Sequence, residues 1–319
     1  MAVGNKIVSI SIALSLSVFG LVLGGTSTVF SSPSHDEPSA YDPVIASIVA
    51  NVSKSQLTDY IWTLQNFTTR FAYTSNLNES ATYILEQLGS NPNVVNQSQY
   101  FVYSGRTYRN VLGVLPALNP NNKTVYIVSG HYDSYSEPNP MVSAPGADDD
   151  ASGTAVAMEA ARVLSDYRFN ATVIFAGWTA EEIGLVGSEY YAKEARDSGQ
   201  DVGMVLQFDM VGYDPAGQLG LDIIANTPSA WILNEFLTAN TDYSIGLNLT
   251  DYISSGAAGS DHYSFWQQGY PALMAIETEF NIPNYHSTTD TIDKLNMDLV
   301  TKTAQAAVAV LAKIAGIQT

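Results

Sequence analysis

Residues 125–133 read VYIVSGHYD: four apolar residues, Val125 to Val128, run straight into Ser129, Gly130, His131, Tyr132 and Asp133. An apolar run, rather than apolar and polar residues in turn, marks a strand covered on both faces. The pattern recurs downstream. Residues 172–176 (TVIFA) run into Gly177-Trp178-Thr179-Ala180-Glu181-Glu182, and residues 205–208 (VLQF) run into Asp209. Residues 272–276 (ALMAI) lead by Glu277, Thr278 and Glu279 to Tyr285-His286. Helices are expected between them over 154–164, 183–195 and 231–237, with a closing helix over 299–314. Strands alternating with helices predict a single α/β/α sandwich around a mixed, mostly parallel central sheet. Upstream, Leu57, Ile61, Leu64 and Phe67 have helical spacing within 54–71, and 81–88 suggests a second helix. Residues 100–103 and 109–115 alternate as strands on either side of a Ser104-Gly105 turn.

In open α/β sheets ligands bind just beyond the carboxyl ends of the strands. Every polar cluster quoted above falls at that edge. One more joins them: residues 146–153, GADDDASG, place three adjacent carboxylates directly before the helix at Thr154. A charge run is ordinarily a solvated loop tip, but this one shares its edge with His131, Glu181, Glu182, Asp209 and His286. Something positive is therefore expected beside it. The chain has no cysteine and only four histidines (His35, His131, His262 and His286), so a metal site must draw on His, Asp and Glu. Imidazole and carboxylate together suit zinc. Two histidines and three carboxylates are too many for one four-coordinate ion that keeps an open position. They suffice for two ions if one carboxylate bridges, and ions about 3.5–4 Å apart can jointly activate water and stabilise an oxyanion.

His131-x-Asp133, GADDDASG, Ala180 to Leu185 (AEEIGL), Phe208-Asp209-Met210 and Tyr285-His286 occur in the order of the motifs of the secreted di-zinc aminopeptidases. From about Leu57 onward the chain resembles this bacterial leucine aminopeptidase-like family of metallopeptidase clan MH. The resemblance implies an α/β/α exopeptidase fold with two Zn²⁺ per chain. Asp149 matches the bridging carboxylate, His131 and Asp209 the remaining ligands of one ion, and Glu182 and His286 those of the other. Glu181 matches the general base that takes a proton from the attacking water and passes it to the leaving amine. Asp133 would fix the tautomer of His131. Tyr285 resembles the tyrosine that stabilises the oxyanion in some members; other members carry it just before Ser-Asp-His, where this chain has Ser255-Gly-Ala-Ala-Gly ahead of Ser260-Asp261-His262. Asp148 is read as structural, and Asp150 as a helix-start cap or a support behind the ligands. Ser260-Asp261-His262 is read as a brace, since neighbours in sequence rarely form a catalytic triad. Because the triplet repels itself, removing the ions should loosen this loop.

The balance of 13 basic to 31 acidic residues, formally −18, repels phosphate backbones and excludes nucleic acid as a partner. It suits peptides with a free N-terminus. A carboxypeptidase or dipeptidase of the same clan would need a cation for the substrate carboxylate, and beyond Arg196 only Lys294, Lys302 and Lys313 remain. A glutaminyl-cyclase-like acyltransferase would use one zinc, and an inactive surface-binding protein would be expected to have lost ligands. Residues 1–29 read as a secretory signal or a signal anchor, with possible membrane anchoring through the apolar run 7–23. Residues 30–43 read as a flexible linker and 44–319 as the peptidase domain. Sequons at Asn51, Asn66, Asn78, Asn96, Asn122, Asn170 and Asn248 fit an exported glycoprotein.

Overall fold

The computed structural model describes residues 41–278 and 282–318. The signal segment, the linker up to residue 40, the run 7–23, His35 and Glu279 lie outside these residues.

The chain opens with three helices, α1 (Pro43–Ala50), α2 (Lys54–Gln65) and α3 (Asn76–Gly89), then a hairpin of β1 (Val95–Tyr103) and β2 (Arg106–Leu115). Next come β3 (Thr124–His131), α4 (Ala151–Leu164), the short β4 (Arg168–Phe169), β5 (Thr172–Trp178), α5 (Val186–Ser198) and β6 (Asp201–Phe208). The last third holds β7 (Gly220–Ala225), α6 (Ala230–Asp242), β8 (Asn248–Ile253), α7 (His262–Gln267), β9 (Ala272–Glu277), α8 (Met297–Ile314) and β10 (Ile317–Gln318). The central sheet has eight strands in the order β1-β2-β5-β3-β6-β9-β7-β8, and β10 pairs separately with β4. Its middle, β5-β3-β6-β9, is wholly parallel, so the carboxyl ends of these four strands share one edge.

Helix α4 explains why its sequence is so small and apolar. It is buried on nearly every side, with Gly153 buried and Ala155, Val156, Ala160 and Ala161 inaccessible. Its first turn presses against the ends of two strands. A Cβ on Gly153 would lie 2.2 Å from the Phe208 carbonyl oxygen, so only glycine fits. That approach carries the triplet at the helix start into the strand-end edge.

Three expectations need correction. Helix α2 stops at Gln65 and not at Phe71, because Thr68 takes φ +68 and the chain turns toward the Ala144 segment, where the Ala144 amide donates to the Thr68 carbonyl at 2.9 Å. Helix α5 starts at Val186 and not at Ile183, since Gly184 (φ +114) and Leu185 (φ +58) hold a separate turn ahead of it. Residues 42 and 43, expected outside any element, belong to the start of α1: Asp42 caps it, its Oδ1 accepting the Val44 amide at 2.7 Å, with Pro43 in the first helical position. Strands β7 and β8 and helix α7 had no expected counterpart. Among the described residues no helix is long and apolar enough to cross a membrane.

Candidate metal centre

The parallel register sets the site. His131 ends β3 opposite Trp178 of β5, which puts Glu181 and Glu182 in the turn just beyond. Asp209 follows β6, and its amide donates to the Ala275 carbonyl of β9 at 3.2 Å. His286 arrives on the segment after β9. The candidates from four strand ends and the α4 start therefore converge.

Asp149 lies at the centre. Its Oδ1 is 3.2 Å from His131 Nε2, and its Oδ2 is 3.2 Å from His286 Nε2. His286 Nε2 is also 3.1 Å from Glu182 Oε2, and His131 Nε2 is 3.6 Å from Asp209 Oδ1. Glu181 Oε2 stands back, at 3.9 Å from His131 Nε2. The four shorter separations exceed the roughly 2.7–2.9 Å of a charge-assisted hydrogen bond. They approach the roughly 3.4 Å edge of a tetrahedron whose centre lies about 2.1 Å from each ligand atom. Grouped by these contacts, the candidates would make two three-sided shells, one of His131, Asp209 and Asp149 Oδ1, the other of His286, Glu182 and Asp149 Oδ2. The Oε1 atom of Glu182 is buried without a hydrogen-bond partner, and a divalent cation would satisfy it. The residues present fit such ions.

The electrostatics agree. Burial alone would lower the His131 imidazole, but Glu181, Asp209, Asp133 and Asp149 hold it well above its usual pKa. Burial opposes the same rise at His286, which Asp149 and Glu182 nevertheless push up to about 10. Burial, with Asp149 adding, lifts Glu182 to about 7, and burial also raises Glu181 well above the carboxylate range. Asp149 is held well below that range by the two histidines, against the effect of its burial.

Asp150 also sits near His131 and Asp209, but its oxygens are taken. Oδ1 accepts the amides of Gly153 (2.8 Å) and Met210 (3.3 Å), and Oδ2 accepts the amide of His131 (2.9 Å). It caps α4 and ties that helix to the ends of β3 and β6, a cap contributing about 1 kcal/mol by itself. The peptide between Asp149 and Asp150 is cis. Asp148 Oδ1 accepts the Gly212 amide at 2.9 Å, in keeping with its structural reading. Asp133 faces His131 Nδ1 at 3.6 Å and accepts the amides of Glu181 (3.0 Å) and Glu182 (3.3 Å). The Tyr285 ring stacks on His286 with centroids 3.8 Å apart, and the residue is 49% exposed. Buried Asp261 lies 3.3 Å from Gln207 Nε2, and buried His262 contacts the Ala257 carbonyl at 2.8 Å, so this motif braces the region. Tyr191 and Phe265 are core residues, whereas Tyr190 is partly exposed against Phe101.

Ala180 (φ +59), Met210 (φ +54) and His286 (φ +50) are left-handed without being glycine. Each costs on the order of 1 kcal/mol, and each is a candidate ligand or lies next to Glu181 or Asp209. Sequence reasoning passed over Asn110, whose Oδ1 accepts the Thr179 amide at 3.2 Å and whose Nδ2 donates to the Gly187 carbonyl at 2.8 Å, bracing the glutamate turn. It also passed over Arg70, Tyr135 and Asp290. Tyr135 packs edge-on against His286, 5.0 Å between centroids, and no spacing pattern marks any of the four.

A model of peptidase family M28 matches residues 110–311. Leucine aminopeptidase 1 of Uncinocarpus reesii is 31% identical, across 81% of this chain and 69% of its own. The LapA aminopeptidase of Legionella pneumophila superposes with a TM-score of 0.75 at 23% identity, covering 86% of this chain and 76% of that one. A zinc aminopeptidase from Bacillus subtilis superposes with a TM-score of 0.56 at 25% identity, covering 67% and 52%.

Proposed function

The chain belongs to peptidase family M28, and from that premise we propose that it is an aminopeptidase using two zinc ions to release N-terminal residues from peptides. The observation that carries this reading is the placement of Asp149, with one oxygen toward His131 and the other toward His286, each at 3.2 Å. Relatives named as leucine aminopeptidases and a zinc aminopeptidase of similar fold support it.

His131, Asp209 and Asp149 would hold one ion, and Glu182, His286 and Asp149 the other. Zinc, when bound, supplies Lewis acidity to the scissile carbonyl and to water. The remaining chemistry belongs to the chain. Glu181 Oε2 lies 3.9 Å from His131 Nε2, farther than the other acid–imidazole contacts, a position suited to a group that accepts the proton of the attacking water and delivers it to the leaving amine. Tyr285, fixed on His286 by stacking, donates its hydroxyl to the developing oxyanion. Asp133, 3.6 Å from His131 Nδ1, would favour the tautomer protonated there and leave Nε2 as the ligand atom.

The signal-like residues 1–29 and the sequons, six of whose seven asparagines are exposed, support action outside the cell, with 44–319 as the peptidase domain. Turnover of free and N-blocked peptides, with zinc content assayed on the same sample, tests the reading. Free peptides should be cut from the N-terminus and blocked ones left intact; cleavage indifferent to the block would refute an aminopeptidase.

A further inference from the structure

The segment that presents Asp149 is gripped from two sides by charged residues that belong to neither shell. Arg70, after α2, is fully buried. Its Nη1 donates to the carbonyls of Pro145 (2.6 Å) and Leu64 (3.0 Å), and its Nη2 to that of Gly146 (2.8 Å). Its Nε donates to the carbonyl of Tyr132, between His131 and Asp133, at 2.7 Å. Gly146 leaves room for this grip: a Cβ there would lie 2.9 Å from Arg70 Nη2 and 2.4 Å from the Asp149 carbonyl oxygen. On the other side is buried Asp290, four residues beyond His286. Its two oxygens accept the amides of Asp148 (2.9 Å) and Asp149 (3.1 Å), and its carbonyl accepts the Ala147 amide at 3.2 Å. Five consecutive residues, 145–149, thus offer carbonyls to a buried cation and amides to a buried anion.

We propose that Arg70 and Asp290 are positioning residues that hold the 145–149 loop in its ligand geometry whether or not cations are bound. The proposal rests on reading Asp149 as the shared ligand. A buried guanidinium ordinarily needs a carboxylate partner to offset desolvation. Arg70 instead directs its hydrogen bonds to carbonyls, and its charge is balanced at longer range by Asp290, Asp133, Asp150 and Asp149. The cation therefore sits where it offsets repulsion within the Asp148–Asp150 triplet. This arrangement opposes the simple expectation that removing the metals loosens the loop. By gripping Tyr132 and Gly146 together, Arg70 also sets the spacing between His131 and Asp149. Asp290 does the same between Asp149 and the His286 segment.

Two measurements test this. Hydrogen exchange on the metal-free wild-type chain should find the amides of Ala147, Asp148 and Asp149 protected like the sheet; exchange as fast as in an exposed loop overturns the proposal. Competition of zinc against a chromophoric chelator should show Asp290→Asn and Arg70→Lys binding about 10–100-fold more weakly than wild type. Asp290→Asn retains size but leaves only one acceptor for two amides, and Arg70→Lys retains charge but lacks the planar fork. A brace that served stability alone would lower the melting temperature and leave zinc affinity within twofold, which also overturns the proposal. If the wild type itself takes up no zinc, the ligand reading falls and the proposal with it. Equal uptake by wild type and variants removes the proposal alone. The exchange measurement needs no variant, so a substitution that fails to fold does not protect the idea.

Discussion

Asp133 accepts the backbone amide of Glu181 at 3.0 Å with Oδ1, the same oxygen that faces His131 Nδ1 at 3.6 Å. One buried carboxylate thereby holds the turn that carries both glutamates while lying beside the imidazole at the end of β3. Asparagine in its place keeps one acceptor oxygen and adds a donor where an amide must be received. Asp133→Asn is expected to cost about 10–100-fold in activity or zinc affinity. Steady-state kinetics beside a zinc titration will show it; wild-type values for both would mean the contact is incidental.

Glu181→Gln tests the proton carrier. The side chain keeps its size, and Glu181 belongs to neither three-sided shell, so zinc content should not change. The kcat should fall by about 10²–10⁴-fold, the usual contribution of a positioned acid or base. Near-normal turnover would place the base elsewhere.

Tyr285→Phe keeps the ring that stacks on His286 and removes only the hydroxyl. Loss of one oxyanion donor commonly costs about 10²–10³-fold in kcat. KM should move little, because the interaction belongs to the transition state. A change confined to KM would recast Tyr285 as part of substrate binding.

The metal-free protein should lose stability as pH rises. His286 titrates at about 10 in the fold against about 6.5 unfolded, and Glu182 at about 7 against about 4.3. In both cases the folded state holds the proton longer, so their contribution is complete below the unfolded pKa and is lost as pH passes the folded one. Asp149 has the opposite sign with a window below about pH 4, and buried His262, lowered to about 4, has it up to about pH 6.5. Between about pH 6.5 and pH 9 the metal-free melting temperature should therefore fall, while the stabilisation added by zinc grows, since metal displaces these protons. A metal-free melting temperature rising across that range would contradict the assigned contacts.

The shape of the site was legible because strand ends carry it. Apolar runs gave away the buried strands, and what followed each run supplied His131, Glu181, Glu182, Asp209 and, by way of a longer segment, His286. The observed sheet is parallel where those runs lie, and it brings these residues together with Asp149. The supports were not legible. Arg70 occupies a stretch that continues the helical spacing of α2, and only its buried hydrogen bonds reveal a turn there. Asp290 and Asn110 each act through backbone groups distant in sequence, a relation that local patterns do not encode. Strand β8 escaped for a different reason: it is an edge strand with mostly exposed residues, lacking the apolar run that marks a covered strand.

The central claim is that two zinc ions share Asp149 and are required for peptide cleavage. Zinc per chain should be measured on the active protein, after exhaustive chelation and after stepwise return, with turnover of an aminoacyl-anilide followed on each sample. Two zinc ions per active chain, loss of turnover on removal and its recovery with zinc are the predicted results. Turnover that survives complete metal removal would contradict the account.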